Sequence, residues 1–306
     1  MQKTYISTLY KFMKQDKNVI SCLSDSGTDY DEIIARELPL QVLNYGISEN
    51  NKVASASGLA SSGKIPFVYT TNAFLAYRSY EFVRDDVCLQ NRNVKIVGMG
   101  CGISWSTLGP THHTTEDISC LKALPNLILL SPASAKELEK CMEFAYNHVG
   151  PVYIRIGMGN EEEIYQDECK FTLGKNVTIS EGKDAVIFTT GSIISEVLKA
   201  KEKLKEENID LKVINVPTIK PFDISSVINE GNNYKKIISV EEHNVIGGLG
   251  SSIADVIATN NLNTKLYKIG INDTFAKGYG TYQEMKEMNN LDSESIYKEL
   301  KKILSN

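Results

Sequence analysis

The chain has 306 residues, of which 42% are hydrophobic and 23% charged, and it carries a formal net charge of −5. That balance suits a globular protein with apolar material for two ordinary cores, and it offers no basic field for a nucleic-acid backbone. The six cysteines, Cys22, Cys88, Cys101, Cys120, Cys141 and Cys169, show no Cys-x-x-Cys spacing, the first residues lack an apolar signal core, and no apolar run approaches membrane-spanning length; the expectation is a reduced, cytoplasmic chain with no thiolate metal site.

Apolar side chains at Ile6, Leu9, Tyr10 and Met13 recur at spacings of three and four, which predicts a helix over residues 3–15 with one buried face. A strand over 19–23 ends at Ser24-Asp25-Ser26-Gly27, and another over 40–45 breaks at Gly46. Ser48 is placed to cap a helix that starts at Glu49 and ends near Gly63. A strand over 66–70, a long helix over 74–89 and a bare apolar strand over 94–100 follow. After a polar loop come a short helix to Ala123, a strand over 127–130, a helix over 134–148 and a strand over 152–156.

This alternation predicts a parallel, doubly wound sheet spanning residues 1–160. Residues 161–182, opening with three consecutive glutamates, have the composition of a linker. The alternation then resumes, with strands over 185–189, 211–216, 237–240 and 265–271 and helices over 192–207, 248–258, 282–288 and 293–304. A second α/β domain over 183–306 is the expectation.

The run from Leu108 to Ile118, Leu-Gly-Pro-Thr-His-His-Thr-Thr-Glu-Asp-Ile, holds two of the four histidines and sits between a strand and a helix. Such loops lie at the carboxyl edge of parallel sheets, where ligands bind. An imidazole fixed there suits proton transfer or hydrogen bonding to a hydroxylated substrate. A metal is disfavoured, because the adjacent side chains of His112 and His113 rarely aim at one ion and no third ligand is evident. Glu49 has an ordinary explanation as a first-turn carboxylate that complements the helix dipole, and Asp25 one as a turn residue. Residues Gly247 to Ser251 open a helix whose amides could hold an anion, although close approach of helix and strand is the better account of the glycines. Glu241-Glu242-His243, taken alone, has the composition of a solvated loop. To this point the residues define an α/β enzyme acting on a small polar ligand.

The run from Gly109 to Ile118, followed by Leu124-Pro125-Asn126-Leu127 and Ser131-Pro132-Ala133, resembles the pyrimidine-binding domain of transketolases and of deoxyxylulose-phosphate synthase. Pro217-Thr218-Ile219-Lys220-Pro221 and the run from Val240 to Ser251 are similar to the transketolase C-terminal domain. The Gly-Asp-Gly motif of a diphosphate-binding domain is absent from the sequence. The resemblance therefore implies the second subunit of a split, thiamine-diphosphate-dependent transketolase with two doubly wound α/β domains. It also implies a partner subunit that brings Mg2+ and the diphosphate site, an α2β2 heterotetramer, and transfer of a two-carbon ketol unit from a ketose to an aldehyde, with the cofactor as electron sink.

Carried over residue by residue, the resemblance gives Glu49 the role of the carboxylate that hydrogen-bonds the aminopyrimidine ring nitrogen. His112 matches the histidine at the substrate's reacting oxygens, with His113 beside it on the substrate side, and Asp25 matches an aspartate near the thiazolium. Asn72, Leu75 and Arg78 fall on the pyrimidine-pocket positions, with Phe74 and Tyr77 as alternatives for stacking if the register slips. The substrate positions depart from the family. Gly100 and Leu108 stand where sugar-phosphate transketolases have a histidine and an aspartate, Met158 where they have an arginine, and Asp29 where they have a serine. These losses imply an atypical sugar, either unphosphorylated, nucleotide-linked or otherwise modified. The competing expectations are a deoxyxylulose-phosphate-synthase-like or pyruvate-using carboligase, and a non-catalytic scaffold subunit, against which retention of Glu49 argues.

Overall fold

Short apolar strands separated by amphipathic helices leave each strand to be covered on both faces, and the chain solves this twice. The computed structural model describes residues 1–25, 29–158 and 161–305, without the side chains of residues 29–32. In the first half, β1 (Val19–Leu23), β2 (Val42–Asn44), β3 (Ile65–Thr71), β4 (Lys95–Met99), β5 (Ile128–Leu130) and β6 (Val152–Ile156) are mutually parallel. The helices of this half are α1 (Gln2–Gln15), α2 (Asp29–Glu37), α3 (Glu49–Ser61), α4 (Tyr80–Phe82), α5 (Asp117–Leu121) and α6 (Ala135–Asn147).

The strands β1, β4 and β6 are buried along their whole length, as parallel strands between two helical layers must be. On one face Leu9 and Met13 of α1 and Leu138 and Met142 of α6 pack on Phe67, Val97 and Ile154. On the other, Val53 and Ala56 of α3 join Leu75 and Val87 over Val68, Ile96 and Leu129.

The second half repeats the scheme with β7 (Val177–Ser180), β8 (Ala185–Thr190), β9 (Leu211–Asn215), β11 (Lys236–Asn244) and β12 (Lys265–Ile271), in the spatial order β12-β11-β8-β9-β7. It carries α7 (Ile194–Glu206), α8 (Ile224–Asn233), α9 (Leu249–Thr259), α10 (Tyr282–Met288) and α11 (Ser293–Ser305). One strand crosses over: β10 (Thr218–Lys220) runs antiparallel to β5 and completes the first sheet, ordered β10-β5-β6-β4-β3-β1-β2. The two halves thus share a sheet edge.

Several elements differ from the sequence expectation for identifiable reasons. Ser48 does not cap α3 through its side chain, because its hydroxyl donates to Tyr45 O (2.8 Å). The helix expected over 74–89 is wound wider: Phe74–Arg78 and Val83–Cys88 flank α4 as π turns, with Leu89 N bonded to Arg84 O at 2.8 Å. Such turns re-aim side chains and recur at functional sites. The end of the linker pairs with β9 as β7, and α2 and α8 are helices that apolar periodicity did not reveal. Glu241, Glu242 and His243 are not a solvated loop; they continue β11 and are buried.

Candidate active site

Because β1 to β6 are parallel, their carboxyl ends line one edge. The segments that leave them carry Asp25, Glu49, residues 72–78, residues 100–116 and Met158. Glu49 begins α3 and is 3% exposed, with its Oε2 accepting from Arg78 Nη1 at 2.8 Å. Among the described residues its Oε1 takes no hydrogen bond. The π turn that follows β3 places the Arg78 guanidinium over the Phe74 ring, 4.5 Å from its centroid. Phe74 in turn meets His112 edge-on, with ring centroids 5.1 Å apart. Carboxylate, guanidinium, aromatic face and imidazole thus form one continuous row.

His112 is held from two further sides, by Thr111 Oγ1 at 3.0 Å from its Nδ1 and by the edge of Trp105 at 6.2 Å. Trp105, which no sequence motif singled out, donates from Nε1 to Met99 O (3.3 Å) and lies on Gly100. Gly100 is left-handed (φ 79°), and a Cβ there would fall 2.1 Å from the indole nitrogen. The space that a side chain at position 100 would use is therefore filled by tryptophan.

The other expected positions divide. Asp25 stands exposed at the end of β1, with its amide donating to Asn44 Oδ1 (3.3 Å). Leu108 is exposed, and Met158 packs against the apolar cluster that Trp105 also joins. His113 is 4% exposed. Asp29 starts α2, but its side chain lies outside the described residues. Asn72 and Leu75 do not reach the cleft. Leu75 is core, and the Asn72 amide is spent inward on Asp117 Oδ2 (2.9 Å) and the Tyr153 hydroxyl (2.8 Å). The strand ends at Thr71, so the wide turn directs Phe74 and Arg78 outward and sends these two residues into the core.

Behind the row lies a buried network that fixes it. Asp117 accepts from Arg155 Nε (2.8 Å) and the Tyr153 hydroxyl (2.8 Å). Burial pushes its carboxyl up, but the Arg155 guanidinium, His243 and the Tyr153 hydroxyl together outweigh this and hold it below the usual carboxylate range. The end of β11 buttresses the loop from the second half: Asn244 N donates to Thr115 O (2.7 Å), Arg155 Nη2 to Glu242 O (3.0 Å), and Ile103 N to Glu242 Oε1 (2.7 Å). The start of α9 holds no external anion, since the Glu241 carboxylate takes the amides of Leu249 (2.7 Å) and Gly250 (2.9 Å).

The row fits an aminopyrimidine. Arg78 makes with Phe74 and Glu49 the two contacts that a flat nitrogen ring would make, a face on the aromatic and an N–H on the carboxylate. Among the described residues no group of three or more His, Cys, Asp or Glu is placed to hold a metal ion, and no helix is long and apolar enough to cross a membrane.

Fold and row together define a two-domain α/β chain with a polar and aromatic row at the carboxyl edge of its first sheet, braced by its second domain. Its sequence matches the family described as transketolase, pyrimidine binding domain over residues 1–161, and transketolase, C-terminal domain over residues 174–296. It is 36% identical over 303 residues to a transketolase C-terminal section of Methanocaldococcus jannaschii, covering 98% of this chain and 95% of that one. It is also 36% identical over 261 residues to an apulose-4-phosphate transketolase subunit of Actinobacillus succinogenes, covering 85% and 84%. A solved split-gene transketolase, an inactive beta4 tetramer, superposes with a TM-score of 0.90 at 30% identity, over 99% of this chain and 98% of that one. The chain belongs to the transketolase family, whose members depend on thiamine diphosphate, and corresponds to the C-terminal subunit of a split transketolase, a transferase.

Proposed function

We propose that the chain supplies the pyrimidine side of a split active site and is active only with a partner subunit that carries the diphosphate and Mg2+ site, in a cytoplasmic α2β2 assembly. Residues 1–160 form the catalytic half, 161–182 the connection and 183–306 the brace. The observation that carries this reading is the buried Glu49 carboxylate beside Phe74 and Arg78, with one oxygen left for a ligand. Bound thiamine diphosphate supplies an electron sink for a two-carbon carbanion. Glu49 would hold the aminopyrimidine ring nitrogen, Phe74 would give that ring a face in place of Arg78, and Asp25 would approach the thiazolium. His112, fixed by Thr111 and Phe74, meets the reacting oxygens of the sugar. Exposed apolar side chains at Ile47 and Leu108 border this edge, which supports a docked subunit there.

An atypical sugar is the proposed substrate. Met158 and Asp29 put no cation where the family binds a phosphate, Gly100 and Leu108 stand in place of the family's histidine and aspartate, and the Actinobacillus relative is itself named for an unusual sugar. The test is ketose-to-aldehyde transfer by the chain reconstituted with its partner, thiamine diphosphate and Mg2+. Glu49→Gln is expected to lower kcat about 10²- to 10⁴-fold, the usual weight of a positioned proton-transfer group. Full activity in that variant would remove Glu49 from the mechanism, and carbon dioxide release from pyruvate would replace ketol transfer with a decarboxylating carboligation.

A further inference from the structure

A hollow of about 240 Å³ adjoins the double-histidine loop, lined among others by Tyr77, Thr111, His113, Thr115, Glu116 and Phe275. Phe275 comes from the second half, and its segment rests directly on the loop. Gly109 is left-handed (φ 74°), and a Cβ on it would fall 2.1 Å from the Tyr279 ring. His113 is 4% exposed, yet neither ring nitrogen has a hydrogen-bond partner among the described residues. A buried imidazole without partners is costly unless something else satisfies it.

We propose that this hollow receives the uncharged, hydroxyl-bearing end of a sugar, remote from the carbons that react. The inference rests on the transketolase reading above and specifies the substrate for it. The lining decides the class. Among the described residues it includes no lysine or arginine, while the Glu116 carboxylate, steadied by Tyr77 (2.7 Å) and Thr115 (2.7 Å), would repel a phosphate or sulfonate. Phe275, Tyr77 and Pro110 offer apolar faces to sugar C–H groups. Burial and the neighbouring His112 hold the His113 imidazole below its ordinary titration range, so at neutral pH it presents one donor and one acceptor, as a hydroxyl requires. The adjacency of His112 and His113 joins the hollow to the reaction side of the same loop.

The test has a binding arm and a kinetic arm. In the first, the His113 ring resonances of the full chain, assigned by their loss in His113→Asn, are followed as D-sorbitol or D-sorbitol 6-phosphate is added. Sorbitol is expected to shift them saturably and its phosphate to do so far less; no shift, or an equal shift with the phosphate, overturns the inference. In the second, the reconstituted complex is given D-fructose or D-fructose 6-phosphate as donor. His113→Asn, and Phe275→Ala at an exposed position that leaves the core intact, should each raise KM for fructose roughly three- to tenfold with kcat within about twofold, the weight of one or two neutral hydrogen bonds. Glu116→Lys should lower KM for the phosphate. Unchanged KM values in all three variants mean that the hollow holds only water, and the inference fails. A complex that transfers from no ketose at all defeats the transketolase reading instead, and the sorbitol titration still decides the hollow.

Discussion

Two glutamate carboxylates lie beside helix starts at the carboxyl edges of the two sheets, and the chain uses them in opposite ways. Glu241, on β11, reaches across to the start of α9 and accepts from Leu249 N (2.7 Å) and Gly250 N (2.9 Å), and burial pushes its carboxyl above the usual range. Glu49 opens α3, but its carboxylate leaves its own helix for Arg78 (2.8 Å) and keeps one oxygen without a partner among the described residues. The same contrast runs along both edges. In the second half Glu242 and His243 are consumed by Ile103, Tyr282, Ser119 and Asn244, whereas in the first half the His113 ring nitrogens have no partner among the described residues and Asp25 is exposed. Saturated polar groups hold structure, and unsaturated ones at an otherwise well-bonded edge mark where a ligand completes it.

The contrast can be broken most severely at the seam. Arg155→Met leaves the Asp117 carboxylate buried without its cation and should cost about 3–5 kcal/mol in urea unfolding. Asp25→Ala, at the open edge, should move the same midpoint by under about 0.5 kcal/mol. Next in size is Glu241→Ala, which strands two buried amides and should cost about 1–3 kcal/mol. Glu49→Gln should cost less than that in stability while removing activity. A Glu49→Gln chain as destabilised as Glu241→Ala would show that both carboxylates are structural, and the comparison would fall.

How much of this was legible depended on the kind of signal. The doubly wound α/β architecture could be read because parallel strands buried on both faces are bare apolar runs, as at Val19–Leu23 and Val152–Ile156. The double-histidine loop stood out because its polar residues interrupt that pattern. Asn72 and Leu75 were assigned by ungapped register, which does not see the wide turn at Phe74–Arg78 that faces Phe74 and Arg78 toward Glu49 and His112. Glu241 to His243 looked solvated because three titratable residues in sequence give no hint that Arg155, Ile103 and the start of α9 receive them from afar. Strand β10 was hidden between Pro217 and Pro221, which locally suggest a turn. The one available clue to Trp105 was the sole tryptophan of the chain lying in a serine-rich loop five residues after a glycine.

A last effect, read as a slope with pH, separates the two ends of the first sheet. Burial holds the Lys95 ammonium, bonded to His148 O (2.7 Å) and Gly150 O (2.8 Å) at the start of β4, down at about 7 from 10.5. Lys52, one turn past Glu49, is likewise pulled by burial to about 7, against the opposing pull of Glu49. Between pH 7 and 10.5 the unfolded chain binds these protons and the folded chain does not, so each lysine makes stability rise with pH, by up to about 1.4 kcal/mol per unit. Below pH 7 both states are protonated and the slope disappears. Above pH 9 the thiols of Cys22 and Cys88, pushed up by burial to about 12, act in the opposite sense. Urea unfolding between pH 7 and pH 9 should therefore show a positive slope that Lys95→Met reduces by about half. Cofactor binding beside Glu49 changes the surroundings of Lys52 and leaves those of Lys95 untouched, so in the reconstituted complex the slope that remains in Lys95→Met is the part that thiamine diphosphate should alter. A cofactor-insensitive slope in that variant would place the ligand away from Glu49.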